Sequence, residues 1–296
     1  MQRGASKRSS RSAKRRVAST RPVRAAKSKK PGWRSASTSD PQELYELSVQ
    51  DPDAEMDFID RVWTERRGRL ARTLREDFCG SAIASCAWVK RRRENRAWGV
   101  DVNPAVLAWA AARLPGRLTS AQRRRLVLVQ GDVLTARTPR VESIVAMNFS
   151  SFIFKTRPAM LRYLRTVHAN LARGGIFFMD AYGGSESFEE MEEERDLDGF
   201  TYVWDQHLYN PVTGEVINRI HFRFPDGTEI RSAFEYDWRL WTLPELREML
   251  EEAGFRHVTV YWEGTDPETN EGDGVFTPTM RGEACPGWIA YLVGEK

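Results

Sequence analysis

Apolar positions along residues 72–180 recur first with a period near two, then near 3.6, and the two periods alternate. Strand-like runs at Thr73–Phe78, Arg96–Val102, Leu126–Gln130, Ser143–Asn148 and Gly175–Asp180 are separated by helical patterns at Ala82–Arg92, Pro104–Arg113 and Pro158–Leu171. Alternation of this kind predicts βαβ units on a parallel sheet covered by helices on both faces. Asp40-Pro41-Gln42-Glu43 and Thr242-Leu243-Pro244-Glu245 both place a capping residue, a proline and a glutamate in capping-box register, so helices are expected to begin at each. Asp51-Pro52 opens a further helix, in which Met56, Ile59, Val62 and Trp63 recur at helical spacing.

Beyond residue 183 the period changes. Ser185 to Arg195 reads as an acidic helix. Three period-two runs follow at Phe200–His207, Glu215–Phe224 and Glu229–Trp241, joined by Asn/Pro/Gly turns, which predicts a small antiparallel sheet with one apolar side. A helix ending at Gly254, a strand from His257 to Trp262, a long polar loop and a strand from Trp288 to Val293 complete the chain, with the last strand antiparallel to its neighbours. The predicted class is therefore α/β: a Rossmann-like, doubly wound, seven-stranded sheet with an antiparallel last strand and an antiparallel β insertion at 183–241.

Charge is segregated. Residues 1–39 hold 13 Lys and Arg and no acid, whereas the remainder holds 32 basic against 41 acidic residues, a net of −9. The basic segment lacks the apolar content needed to offset its ordering entropy, so it is expected to be a disordered tail, and residues 40–296 one domain. Weak contact with nucleic acid is the functional reading of that tail; a solvated extension is the plainer one. Cys79, Cys86 and Cys285 have neither disulfide-framework nor zinc spacing, so no metal is expected and a reducing cytoplasm fits. No apolar run reaches the ~20 residues of a membrane span.

The most informative chemistry is Glu76-Asp77-Phe78-Cys79-Gly80-Ser81-Ala82, followed one helix later by a strand ending in Asp101-Val102. A small-residue turn opening a helix presents N–H groups and positive dipole to an anionic ligand group, and a carboxylate ending the next strand accepts ribose hydroxyls. The two acids Glu76 and Asp77 between an apolar strand and Cys-Gly read as functional. His168 and His257 read as structural or surface residues, and His221, between Arg219 and Arg223, as part of a solvated face.

With these motifs and the antiparallel final strand, the chain resembles the class I S-adenosylmethionine-dependent methyltransferases from about Tyr45 onward. Glu76, Gly80 and Ala82 take the acidic, second-glycine and third-glycine positions of the family's first motif, with Phe78 and Ala82 replacing two glycines. The resemblance implies S-adenosyl-L-methionine as cofactor, held by Glu76, Cys79, Gly80, Ser81, Asp101, Val102, Asp132, Val133, Asn148 and Phe149. Asn148, Tyr182 and His207 are then the catalytic candidates; Tyr45, Phe152, Tyr202, Trp204, Trp238 and Trp262 are the acceptor-wall candidates. Met147-Asn148-Phe149-Ser150 lacks the Pro-Pro-aromatic and Pro-Cys motifs of nucleic-acid methyltransferases. The insertion is similar to the lids of small-molecule enzymes, so a small polar acceptor, an amine among the candidates, is expected. An RNA-directed enzyme using the tail and a non-catalytic cofactor-binding module are the alternatives; a nicotinamide dehydrogenase fits less well without Gly-x-Gly-x-x-Gly.

Overall fold

The structure is a computed structural model and describes residues 34–269 and 272–296. Residues 1–33, most of the expected tail, lie outside the described residues. Residues 34–39, which composition assigns to the tail, are placed on the β insertion. The Ala36 amide donates to Thr228 Oγ1 at 2.9 Å, and the Arg34 guanidinium lies 5.5 Å from the centre of the Phe200 ring.

Two helices precede the first strand, α1 (Pro41–Val49) and α2 (Pro52–Arg67). As expected, the carboxylates of Asp40 and Asp51 cap them, accepting from Gln42 N and Ala54 N. Then follow β1 (Thr73–Asp77), α3 (Ile83–Arg91), β2 (Arg96–Asp101), α4 (Pro104–Arg117), α5 (Ser120–Arg123), β3 (Leu126–Gln130), β4 (Val141–Ala146), α6 (Arg157–Asn170) and β5 (Leu171–Gly183). The insertion supplies β6 (Met191–Leu197), β7 (Phe200–Tyr209), β8 (Glu215–Arg223) and β9 (Glu229–Arg239). The chain closes with α7 (Leu243–Glu252), β10 (His257–Thr265), β11 (Gly272–Thr279) and β12 (Trp288–Glu295).

The large sheet has the order β11-β10-β12-β5-β4-β1-β2-β3. Strands β3, β2, β1, β4 and β5 are mutually parallel, and β12 lies antiparallel between β5 and β10. The seven expected strands are present in this arrangement, and β11 adds an eighth at the edge. The segment Gly272-Asp273-Gly274-Val275-Phe276-Thr277-Pro278-Thr279 reads as loop because glycine, aspartate and proline are depleted in strands. An edge strand tolerates a proline, and only Phe276 is buried. Among the described residues no helix is long and apolar enough to cross a membrane.

The insertion also departs from expectation. It is a four-stranded sheet, β6-β7-β8-β9, because the acidic helix expected over Ser185 to Arg195 stops as a single short turn at Ser185–Phe188 and its second part is strand β6. Glutamates favour helix locally, but β6 pairs along its whole length with β7, and the Arg223 guanidinium on β8 gathers Glu192, Glu194 and Glu229. His221 is likewise not on a solvated face: it is 3% exposed. A register shift between β8 and β9 places Ser232, at φ 46°, beside it, and the Ser232 amide donates to His221 Nδ1 at 2.7 Å.

Candidate active site

The turn after β1 keeps the geometry its glycine positions call for even where glycine is absent. Phe78, Gly80 and Ala82 have φ of 58°, 49° and 56°, all in the left-handed region that costs a residue with a Cβ free energy. Such strain persists only when the surroundings impose it. Here Cys79, 1% exposed, packs under the turn against Gly99 of β2, where an added Cβ would lie 3.0 Å from Cys79 Sγ. A Cβ built on Gly80, by contrast, meets nothing within 4 Å, so the outer side of the turn is open to a ligand.

Asp101, at the end of β2, ties strand and turn together. One oxygen accepts the Gly80 amide at 2.8 Å and the other the Asn103 amide at 2.9 Å, while the residue stays partly exposed. Ser81 is buried and its hydroxyl lies 3.3 Å from Gln50 Oε1. Val102 is 68% exposed beside Asp101. Asp132 follows β3 and accepts the Leu134 amide at 2.8 Å, with Val133 buried behind it.

The two acids of β1 have different fates. Glu76 reaches the first turn of α3, where one carboxyl oxygen receives the Ser85 amide at 2.9 Å and the Ser85 hydroxyl at 2.5 Å. Burial outweighs these bonds and pushes its pKa from 4.5 up to about 8. Asp77, which the sequence suggests is a ligand-binding acid, instead pairs with Arg75 at 2.6 Å and accepts the Tyr163 hydroxyl at 3.1 Å, with both ionic side chains within 1% of full burial. Arg75 extends the network to the carbonyl of Val133 at 2.8 Å, fixing the loop that carries Asp132.

The raised Glu76 pKa carries a stability consequence. Between pH 4.5 and about 8 the unfolded chain releases the Glu76 proton and the folded one retains it, so ligand-free stability falls across that window and levels off above it. In thermal melts from pH 5 to 9, Glu76→Gln should lack this component and gain several degrees on the parent protein at the alkaline end. Parallel melting curves would place the carboxyl in water rather than in the fold.

A small aromatic-lined cavity opens at the C-terminal ends of β4 and β5 beneath the insertion. Asn148 and Phe149 form its floor, both at φ 59°, and both amides donate to the Asp180 carboxylate at 2.8 Å. Tyr45, Tyr182, Tyr202, Trp204 and Trp238, all expected from sequence, line it together with Tyr236, Gln206 and Trp288. Three expected residues do not: Phe152 is fully buried behind Tyr182, Trp262 packs at a tilt against Trp288 outside the lining, and the His207 side chain is 46% exposed beside Asp205. Asp180 was missed, although a buried acid ending a parallel strand is a legible sign of a positioned loop.

No Asp, Glu, His or Lys lines the cavity among the described residues. Burial pushes the Tyr45 phenol up to about 12 and those of Tyr182 and Tyr236 upward as well, so all three remain protonated near neutral pH. The cavity therefore offers aromatic faces and neutral polar groups. Glu192, Asp205 and His221 cluster within 4.8 Å of one another in the insertion. Because His221 Nδ1 accepts the Ser232 amide, a neutral ring carries its proton on Nε2, facing Asp205 at 3.2 Å, and that tautomer blocks the metal-binding lone pair.

No family model and no curated protein matches the sequence. Solved structures do resemble the fold. An S-adenosylmethionine-dependent methyltransferase from Clostridium acetobutylicum ATCC 824 superposes with a TM-score of 0.61 at 15% identity, over 84% of this chain and 96% of that one. CalS10, an amino pentose methyltransferase from Micromonospora echinaspora involved in calicheamicin biosynthesis, gives 0.60 at 16% identity, over 86% and 95%. The sugar N-methyltransferase KedS8 from Streptoalloteichus sp ATCC 53650 gives 0.59 at 19% identity, over 94% and 98%. The β1 turn, the Asp101 strand end, the antiparallel β12 and the capping insertion thus belong to a chain with the fold of the S-adenosylmethionine-dependent methyltransferases.

Proposed function

We propose that this protein transfers a methyl group from S-adenosyl-L-methionine to the nitrogen of a small amine, such as an amino sugar. The observation that carries the reading is the juxtaposition, along one edge of the sheet, of an open left-handed turn tied to a strand-end carboxylate and an aromatic cavity without ionised groups. The residues fit the cofactor. Gly80 leaves its outer side open, Asp101 stays partly exposed and would accept the ribose hydroxyls, Asp132 and Val133 on the loop after β3 would meet the adenine edge, and Asn148 and Phe149, which line the aromatic cavity, would face the methyl group.

When bound, the cofactor supplies a sulfonium methyl that is already electrophilic. The chain's part is to exclude water and align the nucleophile. An amine that arrives neutral brings its own lone pair, which suits a wall with no general base. Positive charge moves to the acceptor nitrogen during transfer, and the faces of Tyr236, Trp204 and Trp238 favour a cation throughout. The names of CalS10 and KedS8 support the same class of acceptor.

Methyl transfer from labelled cofactor to a panel of amino sugars and small amines tests the proposal. Turnover on an amine is expected, and a folded protein that shows no cofactor binding by calorimetry overturns it. A Trp204→Ala/Trp238→Ala variant should keep cofactor affinity within about twofold and lose more than about tenfold in turnover, since truncating buried aromatic rings empties the acceptor wall and leaves the Gly80 turn untouched. Undiminished turnover would remove the insertion from the acceptor site.

A further inference from the structure

The edge of the large sheet opposite the cavity carries a second hollow, of about 440 Å³. Arg140 immediately precedes β4, Arg173 lies near the start of β5, Arg256 immediately precedes β10, and Lys296 follows β12. Four separate segments thus bring cations to one place, with His168 of α6 beside them, and neither Asp nor Glu lines the hollow.

Lys296 has a structural role there. Its ammonium donates to the carbonyls of His168 at 2.6 Å and Leu171 at 2.8 Å, closing the C-terminal end of α6. The three arginines have no such role. Several arginines elsewhere on this acidic body pair with carboxylates, among them Arg67 with Glu295, Arg113 with Asp40, Arg117 with Glu46 and Arg223 with Glu192. Arg140, Arg173 and Arg256 are exposed and make no side-chain hydrogen bond or ion pair among the described residues. Burial, then Lys296 and Arg256, lower the His168 pKa, and burial, then Arg140, lower that of Lys296.

We propose that this hollow binds a compact anion carrying several phosphate groups. Guanidinium forks match phosphate oxygens two at a time, and three of them around a concavity converge on one ligand. An extended nucleic acid would instead need a basic track, which a body of net charge −9 does not favour. The site stands apart from methyl transfer, since it lies at the opposite ends of the strands from Asp101 and Asn148.

Titration of the full chain with tripolyphosphate at low salt, followed by calorimetry, tests the assignment. The comparison is an Arg140→Gln/Arg173→Gln/Arg256→Gln variant that keeps the basic residues 1–39 as a common background, with Arg173→Gln alone as the fallback if the triple variant does not fold. One saturable site is expected in the parent, about tenfold weaker or more in the variant, with sulfate at equal ionic strength binding far less tightly. Equal affinity of parent and variant overturns the proposal, as does equal binding of sulfate. A single-stranded RNA oligonucleotide that competes at this site with higher affinity than tripolyphosphate overturns it in favour of a nucleic-acid surface.

Discussion

Asp77→Ala should destabilise the protein by roughly 3 to 5 kcal/mol, the cost of stranding the partner of a buried ion pair. For a domain of this size that lowers the melting temperature by on the order of 10 °C. The magnitude follows from burial: with Arg75 1% and Asp77 0% exposed, water cannot solvate the guanidinium once the carboxylate is gone. Tyr163, fully buried, also loses the acceptor of its hydroxyl. A second effect should accompany the first. Arg75 holds the Val133 carbonyl, so loosening it frees the loop bearing Asp132, and cofactor affinity should fall although Asp77 touches no ligand. Asp77→Asn, whose single carbonyl oxygen still accepts from Arg75 while its NH₂ can donate to the Tyr163 hydroxyl oxygen, should lose less stability. Calorimetric melts of the three proteins check the ordering; a drop of under about 1 °C in Asp77→Ala would mean that water or the neighbouring carbonyls solvate the Arg75 guanidinium once its partner is gone.

Asp77 also shows where sequence reasoning runs out. Residues 75 and 77 share one face of β1, so their pairing was accessible in principle from the strand period. What turns the pair into a structural lock is the arrival of Tyr163 from α6 and of the carbonyl of Val133 from the loop after β3, and no local pattern encodes those distances. The parts that were legible depend on short-range rules. The caps at Asp40, Asp51 and Thr242 follow from residue type and register, and the Gly80 turn and Asp101 follow from the strand-turn-helix-strand order. Strands β6 and β11 were illegible for opposite reasons, one hidden by helix-favouring glutamates and the other by glycines and a proline, and both are held by pairing with a neighbour. His221 and His207 exchange roles between expectation and structure. The buried one accepts the amide of the displaced Ser232, and the exposed one sits near the end of β7, where the wall has ended. The aromatic wall was partly legible because Tyr202, Trp204 and Trp238 stand out in a period-two pattern. Tyr236 and Trp288 stand in such patterns too, and only the packing of two sheets shows that they face the same space as the others.

Asp101→Ala should weaken S-adenosylmethionine binding by about a hundredfold, with a much smaller effect on folding. Hydrogen bonds to a charged acceptor contribute roughly 1.5 to 3 kcal/mol each, and two lost at the lower bound give about 3 kcal/mol, or two decades in Kd. The structure adds a second route to the same loss. Gly80 sits at φ 49° in a turn whose neighbours Phe78 and Ala82 are left-handed despite their Cβ atoms, and the Asp101 carboxylate holds the Gly80 amide. Without that acceptor the strained turn has less to keep it in the ligand-ready shape, so part of the binding free energy must re-form it. Asp101→Asn separates the two contributions. Its single oxygen can serve either the Gly80 amide or the Asn103 amide, while its NH₂ faces the other as donor against donor, so the turn is half-supported and the acceptor for the ribose is neutral. Affinity should therefore rank parent, then Asn, then Ala, each step close to tenfold. Calorimetric titration with S-adenosylhomocysteine measures the ranking, and an Asn variant as weak as the Ala variant would show that charge, rather than support of the turn, dominates at this position.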